Sequence, residues 1–171
     1  MTPSERARIA LRVERARKAI PLVEGYRLGQ GGFDPKAPSP GRFCDCSGFV
    51  AWVLGLSRRP KPARMWWIET TNVHRDASGR RSVFVPCDPT PGCVIVYPDR
   101  RKRIGLLTKT SQGHIAIVSA VDSRGRPFKI VDCSASRNGV RERREAGVFT
   151  GRDDWLCCTL KEDLADSKGD P

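Results

Sequence analysis

Phe43-Cys44-Asp45-Cys46-Ser47-Gly48-Phe49-Val50-Ala51-Trp52-Val53-Leu54-Gly55 decides how the chain is read. It starts as a polar turn and continues as an apolar helix. Asp45 or Ser47 can cap that helix, because a short side-chain oxygen accepts one of its unpaired N–H groups. Phe49, Val53 and Leu56 share one face, and Val50 and Leu54 the next. A helix apolar almost all round belongs in a core. Gly55 and the following Ser57-Arg58-Arg59-Pro60 end it. Cys46 then lies at the N-terminus of a central helix, where the positive end of the dipole stabilises a thiolate. By position alone it reads equally as a nucleophile and as a buried structural cysteine.

A cysteine hydrolase also needs a base and a group that orients the base. The chain has two histidines. His74 stands in a polar run, Asn72 to Arg81, and is expected to be exposed. His114 opens an apolar strand after Gly113, with Ile115 and Ile117 on one face and His114, Ala116 and Val118 on the other.

The resemblance to a known family rests on four stretches in order. Asp45-Cys46-Ser47-Gly48-Phe49-Val50 resembles the nucleophile motif of the NlpC superfamily of papain-like cysteine peptidases. Tyr26 followed by Gly31-Gly32 resembles the tyrosine and glycine pair upstream of it. Pro91-Gly92-Cys93-Val94-Ile95-Val96-Tyr97 resembles the strand that opens the sheet. Gly113-His114-Ile115-Ala116-Ile117-Val118 resembles the histidine strand, a style shared with the neighbouring CHAP amidases. The resemblance implies an α+β fold in which N-terminal helices, the nucleophile helix among them, pack on an antiparallel sheet. It implies hydrolysis of peptide bonds in peptidoglycan stems, with neither cofactor nor metal. Cys46 and His114 would carry the chemistry, while Tyr26, Asp45 and Ser47 would contact substrate.

The third catalytic residue follows from strand pairing. A three-residue loop Ser123-Arg124-Gly125 puts Gly125 at the left-handed position and pairs Asp122 with Arg126. Counting back, Ala116 meets Asp132 and His114 meets Ser134, so both polar residues share the His114 face. Asp132 is the choice and Ser134 the alternative. Family members usually carry a polar residue, often histidine, at this place, so an aspartate departs from the pattern. It can nevertheless accept the imidazole N–H and stabilise its cation.

Length and charge bound the rest. The 171 residues suit one domain with a core of its own, read as residues 1–160 with a polar tail at 161–171. A net charge of +12, mostly from arginine, favours an acidic partner. That leaves a second reading: a catalytically idle, arginine-rich module binding nucleic acid or anionic wall. Arg6, Arg8, Arg12, Glu14, Arg15, Arg17 and Lys18 interrupt any apolar leader. The expectation is a monomer made in the cytoplasm that reaches the wall by release, in a phage particle or as a secreted effector. Seven cysteines at irregular spacing read as free thiols rather than a disulfide framework. Cys44-x-Cys46 lacks the gap usual in zinc knuckles, and a zinc site of Cys44, Cys46, His114 and Cys133 is the lesser reading.

Along the chain, Thr2-Pro3-Ser4-Glu5 reads as a capped helix start, and Ile9, Val13, Ala16 and Ile20 form the apolar stripe of an amphipathic helix within residues 1–20. Residues 29–40 are a glycine- and proline-rich loop. Met65 to Ile68 is expected to be a short helix, with Trp66 and Trp67 in the core. Pro98 to Arg103 reads as a charged loop. Strands are expected at Val83–Val85, Cys93–Tyr97, His114–Val121, Phe128–Ser134 and Trp155–Leu160, with one of Cys157 and Cys158 facing inward. The tail is expected to fray.

Overall fold

Thr2 starts the first helix with a reciprocal cap. Its side chain accepts from the Glu5 N–H, and the Glu5 carboxylate accepts from the Thr2 N–H. Helix α1 (Pro3–Lys18) buries Ile9, Val13 and Ala16 along the expected stripe and ends before Pro21. The computed structural model describes residues 2–58, 68–104 and 107–168. Trp66 and Trp67, and the helix expected around them, lie outside the described residues.

Strands β1 (Gly25–Tyr26) and β2 (Phe43–Cys44) form a short parallel pair with Tyr26 opposite Cys44. Helix α2 (Cys46–Val53) follows at once, every residue of it buried. Helix α3 (Thr70–Arg75) runs into one π-helical turn at Asp76–Arg80. The remaining strands are β3 (Phe84–Pro86), β4 (Val94–Tyr97), β5 (Arg100–Ile104), β6 (Leu107–Ser111), β7 (His114–Val121), β8 (Pro127–Ser134), β9 (Gly139–Arg144) and β10 (Leu156–Leu160). Six of them make one antiparallel sheet in the order β3-β10-β4-β7-β8-β9, while β5 and β6 pair as a separate hairpin. The fold is therefore mixed α and β, with a mostly antiparallel sheet and, among the described residues, three α-helices.

Each face of the sheet is covered by different material. Ile115, Ile117, Val94, Val96, Val131 and Cys158 point to the face on which α2 packs. Ala116, Val118, Ile95 and Ile130 point to the other, closed by Phe149 from the loop between β9 and β10. Cys157 and Cys158 are thus both buried, one on each face, where a single inward cysteine was expected. The β9–β10 loop is organised by buried Glu145, whose carboxylate accepts from the N–H groups of Gly147, Phe149 and Thr150 and from the Thr150 hydroxyl.

Several expectations need correction. The charged run at Pro98–Arg103 enters the β5–β6 hairpin instead of remaining loop. The polar run around His74 forms α3, and His74 is half-buried. Strand β9 was not expected, because Gly-Val-Arg-Glu-Arg-Arg carries too little apolar alternation; it is an edge strand, where charge is tolerated. Lys161–Lys168 is a 3-10 helix rather than a frayed tail. Its buried Asp163 accepts from Arg12 at 2.8 Å, from the Leu160 N–H and from the Thr159 hydroxyl.

The loop at residues 29–40 holds the first turn of α2 by close backbone approach. Gly32 lies at φ +72°, and a Cβ there would meet the Gly48 carbonyl oxygen at 2.2 Å. Gly125 has a similar φ of +73° but open space around it. Gly125→Ala should therefore cost only the left-handed backbone strain, about 1–2 kcal/mol. Gly32→Ala should lose that and a further ~1–3 kcal/mol from overpacking. Urea denaturation of the two variants measures the difference, and equal midpoints would contradict it.

Candidate active site

The N-terminus of α2 is built around Asp45. As N-cap residue its Oδ1 accepts from the Gly48 N–H at 2.8 Å. Arg58 grips both carboxylate oxygens at 2.7 Å, and the Gly29 N–H donates to Oδ2 at 2.7 Å. The Arg58 guanidinium also donates to the Gln30 carbonyl, and its backbone N–H to the Gly32 carbonyl. Asp45 is almost wholly buried. Both oxygens of this carboxylate, expected to contact substrate, are engaged by these protein groups. Ser47 is also buried, its Oγ 3.9 Å from the Cys46 sulfur, which leaves it little surface for substrate. Tyr26 comes beside Cys46 through the β1–β2 pairing and is half-buried. Burial first, then the negative charge at Cys46 and Asp45, raise its pKa above the ordinary tyrosine value.

Cys46, His114 and Asp132 are brought together. Cys46 is the first residue of α2 and His114 the first of β7. The backbone before His114 is tight, because a Cβ on Gly113 would meet Thr70 Oγ1 at 2.4 Å and the Tyr97 carbonyl oxygen at 2.7 Å. The His114 Nε2–H donates to Asp132 Oδ2 at 2.6 Å. Cys46 lies on the same imidazole closely enough that its charge favours the protonated ring. The His114 ring stacks on Phe149 at 5.4 Å between centroids, and Tyr97 pairs with His114 across β4 and β7.

The pairing argument for Asp132 holds at the site. Ile117 faces Val131 and Val118 faces Ile130, the register that puts Ala116 opposite Asp132. Gly125 takes the left-handed position, and the Asp122 N–H donates to the Arg126 carbonyl. Two irregularities between these ends, at Ser119 and next to Ala120, cancel. Ser134 stays apart from the imidazole contact. Its buried Oγ has no hydrogen-bond partner among the described residues.

Two residues that the sequence reading missed complete the arrangement. Arg143, on β9, donates from Nε to Asp132 Oδ1 at 3.1 Å and from its terminal nitrogen to Oδ2 at 2.6 Å. Asp132 is thus a fully buried carboxylate between two cations. Burial pushes its pKa up, but the hydrogen bonds from His114 and Arg143 outweigh that and hold it below the ordinary value. Arg58 is the second, within the run after Gly55 that the sequence marks only as the end of the helix. For His114, burial opposes the charge, while the bonds and charges of Asp132 and Cys46 favour it more, and its pKa is pushed up to about 9. At neutral pH the imidazole is a cation beside the Cys46 sulfur.

Among the described residues no group of three or more histidine, cysteine or acidic side chains is placed to hold a metal ion, and no helix is long and apolar enough to cross a membrane.

The family model of the CHAP domain matches residues 37–134, more than half of the chain and the span that contains Cys46, His114 and Asp132. The chain belongs to the CHAP family. CHAP domains are cysteine- and histidine-dependent amidohydrolases and peptidases related to the NlpC group, and membership makes this a peptidoglycan-hydrolysing enzyme of that general kind. No curated protein and no solved structure matches the chain.

Two outcomes follow from the charges. Because the folded pKa of His114 is raised, its share of stability is full below the ordinary value of 6.5 and is lost as pH rises through about 9. NMR titration of the ring should give an apparent pKa near 9, and Asp132→Asn should lower it; an unchanged value in that variant would break the link. Arg58→Ala leaves the Asp45 carboxylate buried without its cation. It should cost about 3–5 kcal/mol, measurable by chemical denaturation.

Proposed function

We propose that the enzyme cuts peptide bonds in peptidoglycan stems through Cys46, His114 and Asp132. The observation that carries this is one imidazole that bonds to a buried aspartate and lies beside the cysteine at a helix N-terminus. Cys46, as thiolate, attacks the scissile carbonyl carbon. The developing oxyanion takes hydrogen bonds at the positive end of α2, with the Cys46 N–H as one donor. The His114 imidazolium then gives its proton to the leaving amine, and a thioester on Cys46 remains. His114 takes a proton from water, the hydroxide attacks the thioester, and the acid departs with Cys46 regenerated. Asp132 stabilises the imidazolium and holds the ring with Nδ1 toward sulfur. Arg143 keeps Asp132 ionised, and Phe149 supports the ring from below. Tyr26 stands on the other side of Cys46 as a substrate contact.

Family membership supports peptidoglycan as the substrate; within it the stem peptide is the proposed target, with a bond between D-glutamate and a diamino acid the first candidate. The +12 charge suits an anionic wall.

Mass spectrometry of purified cell-wall fragments after incubation tests the reading. New termini should appear within the stem. Cys46→Ala and His114→Ala should abolish cleavage, by at least about 10³-fold, in a folded protein. Asp132→Ala should lower turnover less, and Cys44→Ala only mildly. Full cleavage by Cys46→Ala, or an unchanged wall digest with the wild type, would overturn the proposal.

A further inference from the structure

Two cysteines outside the proposed chemistry stand directly against it. Cys44 ends β2, two residues before Cys46, and Cys133 follows Asp132 on β8. Their sulfurs are 3.3 Å apart, far closer than their separation of 89 positions in the chain requires. The Cys44 thiol donates to the Cys133 sulfur, and the Cys133 thiol to the Cys44 carbonyl at 3.2 Å. Both side chains are fully buried. Cys87, Cys93 and Cys157 form a different group. Cys93 and Cys157 lie in the cluster on the opposite face, with Cys87 packed against it.

We propose that Cys44 and Cys133 form a site for disulfide formation, joining the strand that feeds the nucleophile helix to the strand that carries Asp132. The sulfurs need only close from 3.3 Å to the bonded distance of about 2 Å. The reaction is exchange with a small extracellular disulfide such as oxidised glutathione. One protein thiolate attacks it and releases the first small thiol. The second protein thiolate then displaces the other, so two protein thiols lose two electrons and two protons, and the oxidant leaves as two thiols. Burial keeps the reagent from the closed core, so the exchange belongs to folding or to transient opening. In the closed protein the hydrogen bond to Cys44, and then burial, hold the Cys133 thiol in its protonated form.

The bond would have two effects. It constrains the unfolded chain across a long loop, which favours the native state. It also takes Cys133, a neighbour of Cys46, out of competition for the nucleophilic sulfur. A reducing cytoplasm leaves the pair as thiols, and a wall outside the membrane does not keep it so. The inference rests on the proposed function only for that compartment, and its test needs no turnover.

The full chain is reduced, unfolded and refolded either with reductant or in a buffer of oxidised and reduced glutathione. Alkylation and peptide mapping follow. The oxidised product should lose about 2 Da, retain alkylation at the remaining thiols including Cys46, and yield a linked peptide joining Cys44 to Cys133. Its Tm should exceed that of the reduced form, and Cys44→Ala and Cys133→Ala should each abolish the difference. Where those variants do not fold, the wild-type peptide map decides alone. All seven thiols alkylated after oxidative refolding, or a disulfide that includes Cys46 or Cys93, would overturn the proposal.

Discussion

The grip of Arg58 on Asp45 is the interaction on which the site depends. Asp45 accepts four hydrogen bonds, from Gly29, Gly48 and both terminal nitrogens of Arg58, in a place without water access. One carboxylate therefore caps α2, fixes the loop that precedes β2 and anchors the chain just after the helix ends. A lone buried carboxylate would be costly, and the bidentate guanidinium makes it tolerable. The glycines at positions 31, 32 and 48 let backbone approach backbone at this point. Cys46 owes its position to this arrangement, because it is the residue immediately inside the cap.

A second carboxylate repeats the device on the sheet. Asp132 is buried, ionised and shared by His114 and Arg143. The two clusters come from opposite structural logics. Asp45 sits at a helix end, where the chain leaves N–H groups unpaired. Asp132 sits within a sheet, where strand register alone decides which side chains meet. The packing of α2 on β7 and β8 brings the two together, so the imidazole meets the sulfur across the boundary between helix and sheet.

How much of this was legible in the sequence varies with the range of the interaction. The α1 capping box, the α2 cap and the β7–β8 turn are local, and each was readable from residue types at fixed spacing. Asp132 was legible because a hairpin makes register countable, and the intervening irregularities happened to cancel. Strand β9 and its Arg143 were not legible, since Arg-Glu-Arg-Arg looks the same solvated or at a sheet edge. Arg58 was hidden for the same reason. Asp45 was legible as a cap from its place before the helix, while the guanidinium that grips its carboxylate was not.

Phe149 gives the fold an uneven seam. Among the described residues, the face of the sheet that carries His114 is closed by a loop pinned through Glu145, not by a helix. The imidazole stacks on that loop, while the cysteine rests on the helix side. A loop of this kind opens more easily than the strands beneath it. On warming, the histidine should lose its support before the sheet loses its hydrogen bonds. The segment between β9 and β10 should then limit activity on heating before the whole domain melts.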